Sequence, residues 1–206
     1  IIQSSVILDE QYGINGQAGN MVFRNVLFAH GGDTQPGEAL INFNNAIDLA
    51  GQGIDNSYTF ENCTIDAAVN GERNGAVDTI YFHGYSQGDA DAAGIDPASV
   101  PANIKFVNSE FLNSDTAMII RGRAQANNVT VQNCYIAKNN HGLRASGKGT
   151  FVVENCIFHD NMNIAGDIDN DLGAVETVGR EGFTPALTIK NSLFVDNMSG
   201  DAPGMS

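Results

Sequence analysis

The chain has 206 residues, one domain's worth, and its 42% hydrophobic content suffices for a continuous core. Asp and Glu total 24 against 10 Lys and Arg, a formal charge of −14, which argues against general nucleic-acid binding and against adhesion to anionic membranes. It fits an extracellular protein or one that recruits divalent cations, and no apolar run reaches the length of a membrane span.

In chain order, residues 1–20 hold no amphipathic helix that would cap a repeat array, and a start at Ile1 reads as a processed form or an excerpt. Then Phe23-Arg24-Asn25-Val26-Leu27-Phe28 opens a pattern of apolar residue, spacer, asparagine, small residue and further apolar residues. It returns at 60–65, 106–111, 131–136, 153–158 and 189–194, with asparagines at 25, 62, 108, 133, 155 and 191. The shortest asparagine spacings, 22 and 25, suit one coil of a β-solenoid, and the longer ones are the same coil with a surface insertion. Stacked coils sit about 4.8 Å apart, so equivalent residues touch. The two apolar columns, beginning at Phe23 and Phe28, then point inward, and the asparagines form a ladder at a left-handed bend. Asn62, as a ladder residue, is expected to be inaccessible despite its Asn-Cys-Thr glycosylation motif. The fold expected is an all-β, right-handed parallel β-helix of about six coils with loop insertions, a single domain over 1–206.

Each repeat precedes a second strand with in-out alternation: 41–44, 80–83, 118–121 and 143–146, with 174–179 as a fifth of less settled register. Gly84, Gly122 and Gly147 mark the bends that follow. The longest insertion, about 85–103, carries Gly88, Gly94, Pro97 and Pro101 and reads as a loop laid over one face. Cys63, Cys134 and Cys156 share one small-residue column, a packing position rather than a metal or nucleophile site. The chain ends within nine residues of Asn197, so either flanking sequence is missing or the ends stack, with end-to-end self-association as a consequence.

Outward positions of the second strands form two columns, Asn42, Tyr81, Ile119, Arg144 and Asn44, His83, Arg121, Ser146, with Arg123 and Lys148 just past the bend. Four of the chain's 10 cations fall in this area, a site suited to an anionic ligand, with Tyr81 to stack on a sugar and His83 as a proton-transfer group. A solvated strand face is the plain alternative. Asp167, Asp169 and Asp171 alternate at a spacing that lets carboxylates converge on Ca²⁺, although Leu172 and Val178 rule out an EF-hand. Glu176 and Asp115 lie near the basic columns as acid-base groups or salt-bridge partners.

From about Met21 to Asn197 the ladder coils resemble the right-handed parallel β-helix of the pectate-lyase-like superfamily. That resemblance implies a fold shared by polysaccharide lyases, glycoside hydrolases, epimerases, tailspikes and adhesins. It implies, for the lyase branches, that Ca²⁺ or basic groups neutralise a uronate while Arg or Lys takes the C5 proton. Arg121 and Arg144 are the positions that match such a base, without a surrounding lyase motif; the aspartate motifs of the polygalacturonase branch are absent. Two functions follow. One is a secreted or cell-surface protein that binds an acidic polysaccharide and, if it is an enzyme, cleaves it by β-elimination, with His83 or Tyr81 as proton donor. The other is a non-catalytic adhesin or filament module.

Overall fold

The computed structural model describes residues 1–9, 14–16, 19–30, 38–44, 56–162 and 173–197. Its strands form three parallel sheets that the chain visits in turn, once per coil. Sheet 1 holds Ile2–Gln3, Asn20–Arg24, Asn56–Glu61, Ala102–Val107, Asn127–Gln132, Gly149–Glu154 and Ala186–Lys190. Sheet 2 holds Val6–Asp9, Leu27–His30, Thr64–Asp66, Glu110–Leu112, Tyr135–Ala137, Ile157–His159 and Leu193–Val195. Sheet 3 holds Ile14–Gly16, Glu38–Asn44, Val77–His83, Thr116–Arg121, His141–Ser146 and Val175–Val178.

The six sequence repeats are six of these coils, and a seventh precedes them. Ile2 pairs with Phe23, and Ser4, at φ 50°, takes the ladder position, its N–H donating to the Arg24 carbonyl at 2.9 Å. A serine in place of the amide hid this coil from the sequence pattern. Between sheets 1 and 2 the asparagines stand at φ 47–54°. Their amides bond in series, Asn62 to Asn25, Asn108 to Asn62, Asn133 to Asn108 and Asn155 to Asn133, at 3.0–3.3 Å. The expectation that Asn62 is inaccessible is wrong: the left-handed bend turns the ladder outward, and Asn62 is exposed.

The core is a column array. Phe23, Phe60, Phe106, Val131 and Val153, with Phe28, Ile65, Phe111, Ile136 and Phe158, are all buried to 1% or less. Phe23 stacks on Phe60 at 4.8 Å and Phe60 on Phe106 at 5.2 Å. At the bend between sheets 2 and 3 a further polar ladder, Ser114, Asn139, Asn161 and Asn197, runs inside the stack. It was missed in the sequence. Its signal is an asparagine three residues past the inner apolar column in three successive coils.

The third bend is closed by glycine. The Gly122 and Gly147 N–H groups donate to Ser146 and Val178, at 2.7 and 3.0 Å. A Cβ on Gly122 would lie 2.0 Å from the Lys148 carbonyl oxygen, and one on Gly147 would lie 1.7 Å from that of Gly122. The coils are therefore apposed backbone to backbone here, and Arg123 and Lys148, which follow these two glycines, are half-buried.

The segment read as a plain loop over 85–103 contains a helix, α1 (Gln87–Ala93), and a 3₁₀ turn (Pro97–Ser99). Ser86 and Asp89 make a capping box, and Gly94 at φ 67° closes the helix. Tyr85 and Ala90 bury against Val100, and Gln125 Nε2 donates to the Val100 carbonyl at 2.9 Å, pinning the insertion to the next coil.

Candidate functional site

Sheet 3 places its side chains by strict register. Tyr81 pairs with Asn42 on one side and Ile119 on the other; Ile119 pairs with Arg144, and Arg144 with Glu176. His83 lies between Asn44 and Arg121, and Arg121 beside Ser146. Ile80, Phe82, Met118, Ile120, Leu143 and Ala145 fill the core between them, so both columns share the outer face. The settled register of the fifth coil adds Glu176 to the first column and Val178 to the second.

The predicted residues do not all behave alike. The Arg121 guanidinium lies over the Tyr81 ring, Cζ 4.8 Å from its centroid, and Nη1 donates to the Tyr81 hydroxyl. Tyr81 and His83 are 5.9 Å apart at the ring centroids. Arg144 pairs with Glu176 at 3.0 Å, Arg123 with Glu181 at 2.6 Å, and the Lys148 ammonium sits 5.3 Å above the Phe183 ring. Asn42 is half-buried, its Oδ1 without a hydrogen-bond partner, whereas Asn44 is placed by backbone register alone. The cations after the bend are one per coil, Arg123, Lys148 and Arg180, each following a glycine. Arg180 was overlooked in the sequence although the Gly-Arg, Gly-Lys, Gly-Arg series announces it. Asp167, Asp169 and Asp171 lie outside the described residues. Among the described residues, no group of three His, Cys, Asp or Glu is set to hold a metal.

Sequence alternation also missed an acid. Leu40 and Ile41 are both in the core, as are Ala117 and Met118, so two consecutive residues face inward and the alternation breaks. The preceding positions, Ala39, Asp78, Thr116 and His141, consequently fall on the Tyr81 side of the sheet, although each is buried to 7% exposure or less. Thr116 N–H donates to Asp78 Oδ1 at 3.0 Å, and Asp115 accepts from Asn140 Nδ2 at 2.9 Å.

Charge and burial set the protonation preferences. Burial, reinforced by Asp115 and opposed by the Thr116 hydrogen bonds and by Arg121, pushes the Asp78 carboxyl up to about 8. Burial lowers His83 below the usual imidazole value, and Arg123, Arg121 and Arg180 lower it further. Arg121 is also lowered, by burial first and by Arg180 and Arg144, against the pull of the Tyr81 phenol. At neutral pH Asp78, buried beneath this face, is thus protonated and His83 is a neutral imidazole.

Three parallel sheets stacked coil on coil define a β-solenoid. Residues 45–203 match the family model described as right handed beta helix region, and the chain belongs to that family. No curated protein and no solved structure matched the chain. No described helix is long and apolar enough to cross a membrane.

Proposed function

We propose that the protein is secreted or displayed at the cell surface, binds an acidic polysaccharide across the outer face of sheet 3, and cleaves it by β-elimination. The observation that carries this reading is the alignment of Tyr81, His83, Arg121 and Arg144 on adjacent strands of sheet 3, with Arg123 and Lys148 just past the bend, in a chain charged −14. Cations gathered on one face of an acidic protein favour an anionic ligand, and the Tyr81 ring, covered by the Arg121 guanidinium on one face, has its other face for a sugar.

The roles divide by environment. Arg144 and Arg123 each pair with a carboxylate of the protein, whose place a uronate carboxylate can take. Arg121, held by a phenol and lowered by burial, is the better base for the C5 proton, with neutral His83 beside it. A neutral imidazole accepts a proton, so the donor role first considered for His83 suits it poorly. Ca²⁺ at Asp167, Asp169 and Asp171 belongs to the same proposal.

The test is incubation with pectate, alginate and glycosaminoglycans, with and without Ca²⁺, following the absorbance of unsaturated uronate. Product lost in Arg121→Ala and reduced in Arg144→Ala supports the reading. No product and no binding to any of these polymers sinks it, and concentration-dependent oligomers in the same preparation would favour the non-catalytic structural module.

A further inference from the structure

We propose that Asp78 is the proton donor of this face, delivering its proton to the glycosidic oxygen that leaves when the chain is cut. The inference rests on the glycan-cleaving reading above and adds a catalytic residue to it. Its first support is placement. The break in alternation puts Asp78 on the Tyr81 side of the sheet, three residues before Tyr81 on the same strand, or about 10 Å along it. A pyranose lying over Ile119 would then have the carboxyl on one side and, on the other, the Arg121 guanidinium that covers the Tyr81 ring.

The second support is how the carboxyl is held. Thr116 holds the carboxyl twice, through its N–H, which reaches Oδ1 at 3.0 Å, and through its side chain. Only 6% of the residue is exposed, so water competes weakly for the carboxyl proton. Burial is the main reason the Asp78 proton is held; the nearby Asp115, whose Oδ1 is engaged by Asn140, adds to it and Arg121 opposes it. His141 continues the Asp78 and Thr116 column one coil further on. A carboxyl of this kind, protonated at neutral pH, has a proton to give to the leaving oxygen.

The step balances without a further reagent. The base takes the C5 proton, the C5–H pair becomes the C4=C5 double bond, and the C4–O bond breaks with its electrons on oxygen. That oxygen takes the Asp78 proton, and the resulting carboxylate is reprotonated from water.

Asp78→Asn keeps the shape and the Thr116 contact but cannot donate. On a polyuronate we expect its kcat to fall about 10²-fold or more, with polymer affinity by calorimetry within threefold of wild type. On a uronide bearing nitrophenolate, a leaving group that departs without protonation, the loss should be less than about tenfold. Asp78→Glu should recover part of the polymer activity, and thermal melts confirm that both variants fold. Equal losses on the two substrates, or polymer activity within threefold of wild type, overturn the assignment while leaving the glycan-cleaving reading intact. A wild-type protein that cleaves no polyuronate overturns that reading and the assignment with it.

Discussion

Asn139 Nδ2 donates to Asn161 Oδ1 at 2.9 Å, with both side chains fully buried. Asn161 in turn donates to the Ile136 carbonyl and to Asn197 Oδ1, each at 2.9 Å, so one amide satisfies backbone and side-chain groups on the two coils that flank its own. Asn161→Ala strands several of these in a dry interior and should cost about 3 kcal/mol in urea denaturation. Asn133→Gly, on the exposed ladder, keeps the left-handed bend and should cost less than about 1 kcal/mol. Equal costs would mean that the interior ladder is no more than a geometric coincidence.

Backbone contact at the third bend leaves no volume for a side chain. With 2.0 Å available to the Lys148 oxygen, Gly122→Ala should destabilise by more than about 4 kcal/mol or fail to accumulate as folded protein. Gly88→Ala is the opposite case: in α1 its Cβ would come no nearer than 3.8 Å to Ser86 Oγ. Replacement there should raise stability by about 0.5–1 kcal/mol. Melting temperatures of the two variants, compared side by side, check both signs.

Glu181 and Arg123 compete with any anionic ligand through their own pairing at 2.6 Å. Neutralising the carboxylate in Glu181→Gln should tighten polyuronate binding a few-fold, on the order of 0.5–1 kcal/mol, and Arg123→Gln should weaken it similarly. Both effects should shrink as salt rises. Calorimetric titration at low and moderate ionic strength reads them. A weaker Glu181→Gln complex would show that the carboxylate positions the arginine rather than occupying it.

Protonation should be visible in stability as well as rate. The folded Asp78 value, about 8, lies above the ordinary carboxyl value, so the native chain holds a proton that the unfolded chain releases. Its stabilising contribution is complete below about pH 4 and is lost as pH rises through about 8. Asp78→Asn should therefore gain stability relative to wild type across that interval. His83 has the opposite sense: its folded value is depressed, so acidification below about pH 6.5 protonates the unfolded chain first and lowers stability. Arg123→Gln should move the His83 NMR titration midpoint part of the way back towards the usual imidazole value.

The solenoid was legible because stacking repeats one local environment along the chain. Six coils need the same apolar pair and the same left-handed asparagine, and this recurrence was enough to derive both columns of sheet 3 and the grouping of Tyr81, His83, Arg121 and Arg144. The first coil escaped because Ser4 meets the same backbone requirement with a different side chain. Helix α1 escaped because a single turn-rich insertion has no second copy to be compared with.

What the amino-acid order could not supply was departure from periodicity and the choice of partners. Two adjacent inward residues in sheet 3 reverse the alternation, and only the packed core shows that Asp78 then falls on the Tyr81 side of the sheet, beside Asp115 and Thr116. Likewise, Arg121 meets a phenol while Arg144 and Arg123 meet carboxylates, a distinction set by side-chain reach across neighbouring coils. Repetition of a backbone can be written into a chain residue by residue. The charge state of a buried acid depends on distances that exist only once the coils are stacked.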